Sequence, residues 1–465
     1  MSEPFTPHPY QMKGLEIMKQ ASLGLFLDPG LGKTSTWLAA FTTLKELGFV
    51  DKMLVVAPLK PMYDTWPKEI EKWAEFEHLT WCFLHGPDKD WHLENTDADV
   101  YLINPEGLQW LTSKCEPNTL ADVLCVDEST KFKNAQSKRF KAMKHFWPKF
   151  LYRWIGTGTP APKGLMDLFA QMYILDGGNA LGGYITHYRN KWFHTQPWDE
   201  YTYIPNDNAY EEITDAIAPL VLVMEAEDYL DMPELQVVDK YVTLPPKALN
   251  LYKELEKEFV ATVPDTTSVL VAPSVAAAGE KCRQIANGAV YTEVSARSKA
   301  HEFEVIHDEK LDMLDELLEE IGEHPVLVVY EFQHDLSRIT RRHLDWPCLT
   351  GMTGEVLQHM TSKFNDGKIP RLLIQSSQAH GLNIQSGAHH MIWYGLTWNW
   401  EDYKQMVDRL YRQGQCSNMV MVYRILADAT LDIDIAKRLK EKYETETDIK
   451  RRAKQRREKL EPQGL

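Results

Sequence analysis

The 465-residue chain has no apolar run long enough to span a bilayer. Residues 1–9 carry no basic-then-apolar leader pattern. The expectation is a cytosolic protein with no membrane partner. There are only six cysteines, Cys82, Cys115, Cys125, Cys282, Cys348 and Cys416, and no two form a CxxC pair. That argues against a disulfide framework and a cysteine-based zinc site. Positive charge is also in deficit: 67 acidic residues against 51 basic ones give a net charge of -16 and an isoelectric point near 5.5. Such a chain does not coat nucleic acid wholesale, although a local basic track remains compatible with it. No short-period repeat is present. What remains is 44% hydrophobic and 25% charged, the profile of a globular protein, at a length that calls for two or three domains.

Short apolar runs at residues 23–27, 53–57, 100–103, 123–126 and 152–155 alternate with polar or helical stretches. Residues 33–47 have helical spacing and stop at Gly48. Continuous apolar strands alternating with helices predict a parallel sheet covered on both faces. The pattern returns at residues 326–330, 372–375, 390–394 and 419–425, with helical patterns at 310–321 and 400–412. The predicted organisation is a first α/β lobe at 1–225 and a second at 301–440. A linker with helical insertion lies between them at 226–300, and a charged tail occupies 441–465. Two basic clusters stand out. One is Lys131, Lys133, Lys138, Arg139, Lys141 and Lys144; the other is residues 450–459, with seven Lys or Arg in ten positions. For the tail the favoured reading is a solvated helix face.

Residues 27–34 read LDPGLGKT between a strand and a helix, the setting a phosphate-binding loop requires. Gly30 and Gly32 let backbone N–H groups turn toward phosphate oxygens, and the following helix adds its N-terminal dipole. Lys33 would reach the β- and γ-phosphates, and the Thr34 hydroxyl would ligate Mg²⁺. Leu27 stands where the usual loop has its first glycine. The apolar run 123–126 ends in Asp127-Glu128, and carboxylates at the carboxyl end of a parallel strand face the ligand crevice. Asp127 is expected to hold Mg²⁺ and Glu128 to orient or deprotonate the attacking water. The two motifs together predict ATP hydrolysis.

In this order the motifs resemble superfamily 2 helicases, in particular the Swi/Snf-type branch of DNA translocases. The resemblance implies two tandem RecA-like lobes. His8-Pro9-Tyr10-Gln11 is similar to the segment that reads adenine, which puts Tyr10 and Gln11 at the nucleotide with Gly30, Leu31, Gly32, Lys33, Thr34 and Ser35. VVAPLK at 55–60 resembles a nucleic-acid track motif, and Trp66, Glu69 and Trp73 fit the pattern that follows it. Ser129 and Thr130 depart from the family's DEAH-type ending, so no role is carried over for them. GTGTP at 156–160 resembles the motif linking ATP state to the nucleic-acid groove. VLVVYEF at 326–332 and SSQAHGL at 376–382 look like the first motifs of the second lobe; the family usually has glycine where His380 stands, and no role is assigned to that histidine. QMVDRLYRQGQ at 405–415 is the most specific match. It implies that Gln405 is at the nucleotide and that Arg409 and Arg412, three apart on one predicted helix and hence on one face, serve as arginine fingers. Trp398-Asn399 resembles the family's WN pair.

The resemblance implies ATP and Mg²⁺ as cofactors and a cytoplasmic setting in a bacterial or phage-infected cell; the oligomeric state stays open, a monomer being compatible with the sequence. Its catalytic residues would be Lys33, Glu128, Arg409 and Arg412, acting in a cleft between lobes that close and open on DNA, whether duplex, forked or branched. Lys60, Asn104, Thr159 and Gln333 are the expected nucleic-acid contacts. An RNA helicase with the same lobes, a nucleotide-gated DNA-binding module without turnover, and a phosphate-loop enzyme acting on a small molecule or protein stand as alternatives.

Overall fold

The computed structural model describes residues 3–266, 268–292, 302–378 and 382–460. The chain divides into two compact units. One comprises Met1–Leu230 with Lys442–Leu465, the other Asp231–Glu441.

The first unit is built on β1 (Leu23–Leu27), β2 (Met53–Val56), β3 (Trp81–Phe83), β4 (Val100–Ile103), β5 (Val123–Asp127) and β6 (Tyr152–Gly156). A small antiparallel hairpin follows, β7 (Phe193–Gln196) with β8 (Asp199–Pro205), and then β9 (Val221–Met224). The seven-stranded sheet runs β3-β4-β2-β5-β6-β1-β9, and every pairing in it is parallel. Side chains leave alternate faces of each strand, so Leu54, Val56, Leu124 and Val126 enter one core while Met53, Val55, Val123 and Cys125 enter the other. This is why the strands read as unbroken apolar runs. The short β3, and β9, whose sequence VLVM follows a stretch that reads as helical, were not among the expected strands.

The second unit carries a five-stranded, all-parallel sheet. Its first strand is β10 (Glu234–Val242). Two antiparallel hairpins come next, β11 (Val260–Thr262) with β12 (Val269–Val271) and β13 (Ala289–Tyr291) with β14 (Phe303–Val305). The sheet is completed by β15 (Val326–Tyr330), β16 (Arg371–Gln375), β17 (His390–Trp393) and β18 (Met419–Ala427), in the order β10-β18-β17-β15-β16. Residues 231–292 of the segment expected as a linker at 226–300 therefore belong to this unit, while residues 226–230 belong to the first. β10 pairs with β18 over nine residues, and it escaped the apolar pattern because ELQVVDKYV is an edge strand, largely half-exposed. Helices Pro246–Glu258 and Val275–Asn287 pack with the hairpins around their own small core.

A buried polar network knits this unit together. Lys310, fully buried, lies 2.6 Å from Asp432 and donates to Asn287 Oδ1 at 2.8 Å. Asn287 in turn donates to Asp335. The neighbouring His307 donates through Nε2 to the Ile285 carbonyl at 2.8 Å, while its Nδ1 accepts from the Glu309 amide. Among the described residues no helix is long and apolar enough to cross a membrane.

Candidate nucleotide site

β1, β6 and β5 are neighbours in the sheet, so their carboxyl ends bring three sequence-distant turns together. After β1 comes the glycine loop. Gly30 and Gly32 have φ of 94° and 70°, left-handed values that glycine adopts without a Cβ penalty. A Cβ on Gly32 would also overlap the Gln11 amide. Helix Lys33–Glu46 starts directly behind the loop. Lys33 donates to the Leu27 carbonyl at 2.7 Å. Burial pushes its ammonium below the ordinary lysine range, and the carboxylates of Glu128, Asp127 and Asp28 oppose that shift.

Gln11 is tied to the loop. Its Nε2 donates to Gly32 O and Thr36 Oγ1, both at 3.3 Å, and its Oε1 accepts from the His8 amide at 2.8 Å. Tyr10 stacks on His8 with ring centroids 5.2 Å apart. Leu31 is fully buried. The Ser35 hydroxyl is turned back onto Gly32 O, and Thr34 is half-buried in the first helical turn.

At the end of β5, Asp127 is buried. Its Oδ2 accepts from Trp66 Nε1 at 3.2 Å and its Oδ1 from the Glu128 amide at 3.1 Å. Burial raises its pKa, and the Lys33 charge and the indole bond oppose the rise. Glu128 has φ 54° and ψ 60°, uncommon for a residue with a side chain. Past β6, Thr157 donates to Glu128 Oε2 at 3.2 Å and accepts from the Thr159 amide at 3.1 Å. Gly156 leaves room for the Trp37 ring and the Lys33 stem, both of which press on the place its Cβ would take. Ser129, where the acidic motif departs from its relatives, is fully buried and donates to Gln171 Oε1 at 2.6 Å. Gln171 Nε2 then bonds the Pro160 carbonyl at 2.7 Å. Ser129 thus links the acidic turn to the GTGTP turn.

In the second unit the helix carrying Gln405 is Trp400–Val407, so it ends before either arginine. The expectation of Arg409 and Arg412 on one helix face is corrected. After Val407 the amides of Arg409 and Leu410 bond three residues back, tightening the chain into a turn. Arg409 donates to the Gln405 and Leu382 carbonyls at 3.3 and 3.1 Å, the capping job a basic side chain does at a helix end. The Arg412 guanidinium makes no hydrogen bond among the described residues. Burial lowers its pKa against the attraction of Asp408. Gln405 is buried with its Oε1 unpartnered. His380 and its neighbours Ala379 and Gly381 lie outside the described residues.

The expected nucleic-acid contacts are less uniform. Gln333 is exposed at the start of helix Gln333–Arg342, and Lys60 is half-buried. Asn104 is buried and bonded to Glu106, and Thr159 is buried with its hydroxyl unpartnered. Three links were not foreseen from the sequence: Trp66 with Asp127, Thr157 with Glu128, and Gln171 with Ser129. Each joins residues far apart along the chain, which spacing alone does not reveal.

Residues 10–274 match the SNF2-related domain, and residues 309–414 match the helicase conserved C-terminal domain. The chain belongs to the SNF2-related family. Each unit carries a parallel sheet, and the chain's relatives include proteins named as ATP-dependent helicases. A protein designated p41, from Acyrthosiphon pisum secondary endosymbiont phage 1, is 32% identical over 92% of this chain and 94% of its own length. A Bacillus subtilis protein named as an ATP-dependent helicase/translocase is 23% identical over 92% of this chain, which spans only 47% of that relative. The solved SWI2/SNF2 ATPase core of Sulfolobus solfataricus in complex with dsDNA is 24% identical, with 96% of this chain and 94% of that one aligned and a TM-score of 0.45.

Proposed function

We propose that this member of the SNF2-related family is a DNA-stimulated ATPase that moves on DNA and remodels or unwinds forked or branched substrates. One observation carries the chemistry: Lys33, Asp127 and the Glu128–Thr157 pair converge at the carboxyl ends of adjacent strands. Lys33 would hold the β- and γ-phosphates. Glu128 would take the proton of the attacking water, oriented by Thr157. Arg409 and Arg412 would meet the γ-phosphate oxygens in the active state, where guanidinium groups stabilise developing charge.

The residues fit Mg²⁺. A nucleotide-borne Mg²⁺ needs only one or two protein ligands beside phosphates and water, and buried Asp127 with the Thr34 hydroxyl supplies them. When bound, the ion would neutralise phosphate charge.

The test is phosphate release measured with single-stranded, duplex and forked DNA and with RNA, with strand displacement scored on the same panel. The reading expects stimulation by DNA that exceeds that by RNA and weakens steeply with salt, because grip on phosphate backbone is electrostatic. Absence of stimulation by any nucleic acid would overturn it. Stimulation by RNA alone would favour the RNA helicase.

A further inference from the structure

The basic segment 450–459 is not simply a solvated face. It forms part of the helix Leu431–Leu460, whose residues from Lys442 onward belong to the first unit. Ile449 and Ala453 enter one of that unit's two sheet-facing cores. Arg457 donates to the Val221 carbonyl of β9 at 2.8 Å, and Lys454 lies 2.6 Å from Asp228. Arg451 and Lys459, on the other side, are exposed.

These anchors fix Lys450. Its side chain is 5% exposed, and its Nζ lies 2.9 Å from Asp28 Oδ1. Asp28 opens the glycine loop, immediately after the Leu27 carbonyl that Lys33 bonds. Its other oxygen accepts from the Ala226 amide at 3.2 Å. Buried Glu446, one turn before Lys450, lies 3.8 Å from the same ammonium.

A bare carboxylate at this place would act against ATP in two ways. It would repel the phosphates, and it would compete with them for Lys33, which already feels the attraction of Asp28. We propose that Lys450 is a positioning residue for ATP: it holds Asp28 as a neutralised pair, which frees Lys33 for phosphate and keeps the loop receptive. The inference rests on the ATP reading of the loop. Lys450 touches no reacting atom, so its effect falls on affinity and not on the chemical step.

The test uses the full chain. Binding of a fluorescent ATP analogue and steady-state ATP hydrolysis are measured for wild type, Lys33→Ala, Lys450→Ala, Lys450→Arg, Asp28→Asn and the double variant Asp28→Asn/Lys450→Ala. Wild type that binds no nucleotide defeats the ATP reading itself. If wild type binds, Lys450→Ala is expected to weaken ATP affinity and raise KM about tenfold, within the usual range for directly coupled groups. The kcat at saturating ATP should stay within about twofold of wild type, since no interaction made only in the transition state is removed. Lys450→Arg should keep near-normal affinity. Asp28→Asn alone should bind at least as well as wild type, and the double variant should regain most of what Lys450→Ala lost. Unchanged KM in a folded Lys450→Ala, or a double variant no better than the single one, overturns the proposal. Should Lys450→Ala fail to fold, the double variant decides alone: near-normal affinity supports charge neutralisation, and a tenfold loss refutes it.

Discussion

Thr157→Val tests whether the GTGTP turn tunes the proposed base. The substitution keeps shape and β-branching and deletes one hydroxyl. That hydroxyl donates to Glu128 Oε2 at 3.2 Å and accepts from the Thr159 amide at 3.1 Å. A hydrogen bond to a charged group contributes about 1.5–3 kcal/mol. Glu128 depends on such support, because its backbone sits in the left-handed region, a conformation that costs of order 1–3 kcal/mol and persists only where its surroundings over-determine it. If the bond orients the carboxylate for water activation, its loss appears in the barrier, and kcat should fall roughly 10- to 150-fold. Lys33, Gly30 and Gly32 are untouched, so KM for ATP should stay within about twofold. The assay is steady-state phosphate release under saturating DNA, with far-UV circular dichroism as the folding check. A folded variant with wild-type kcat would refute the role given to Thr157, and a raised KM with unchanged kcat would move that role to binding.

Lys33→Ala and Glu128→Gln should each abolish turnover in a folded protein; residual hydrolysis near wild type in either would remove that residue from the mechanism. Arg412→Ala should lose hydrolysis but keep much of its affinity for an ATP analogue, and a large loss of both would contradict the finger role. Gly156→Ala should perturb the site through crowding of Trp37 and Lys33, lowering both thermal midpoint and nucleotide affinity; wild-type values for both would show that the ring and stem can yield. Burial holds the His307 imidazole neutral, with its pKa lowered to about 4, whereas the unfolded chain takes up that proton below about pH 6.5. The folded state therefore loses roughly 1.4 kcal/mol per pH unit as pH falls from 6.5 to about 4. Urea unfolding of His307→Gln across that range should show a shallower acid loss than wild type, and parallel curves would refute the assignment.

The first lobe's strands were largely legible because a parallel strand buried on both faces cannot hide its composition. β10 was not, since ELQVVDKYV is an edge strand with half-exposed, polar positions and sits next to Pro233. Lys33, Asp127 and Glu128 were legible for a local reason: a phosphate loop and a strand-end carboxylate pair each fit in a few consecutive residues. Their supports were not. Trp66 is 61 positions from Asp127, Thr157 is 29 from Glu128, and Lys450 is 422 from Asp28, and only the fold joins them. For Arg409 and Arg412 the expected helix face was misread. The only stop signal in QMVDRLYRQGQ is Gly414, yet the helix ends at Val407, where Arg409 bonds the carbonyls at 405 and 382.

The first unit is discontinuous in sequence, and that orders its birth. Its sheet strands lie before residue 231, but the helix segment bearing Ile449, Lys450 and Ala453 is separated from them by all of Asp231–Glu441. At synthesis rates of about 5–20 residues per second, the ribosome spends on the order of ten to forty seconds on that intervening stretch. During this interval the nascent first lobe lacks the core contacts of Ile449 and Ala453, and Asp28 waits without its lysine. The second lobe can close its own sheet before the first is finished. A released chain ending at Glu441 should therefore have a first lobe more open to protease than that of the full chain.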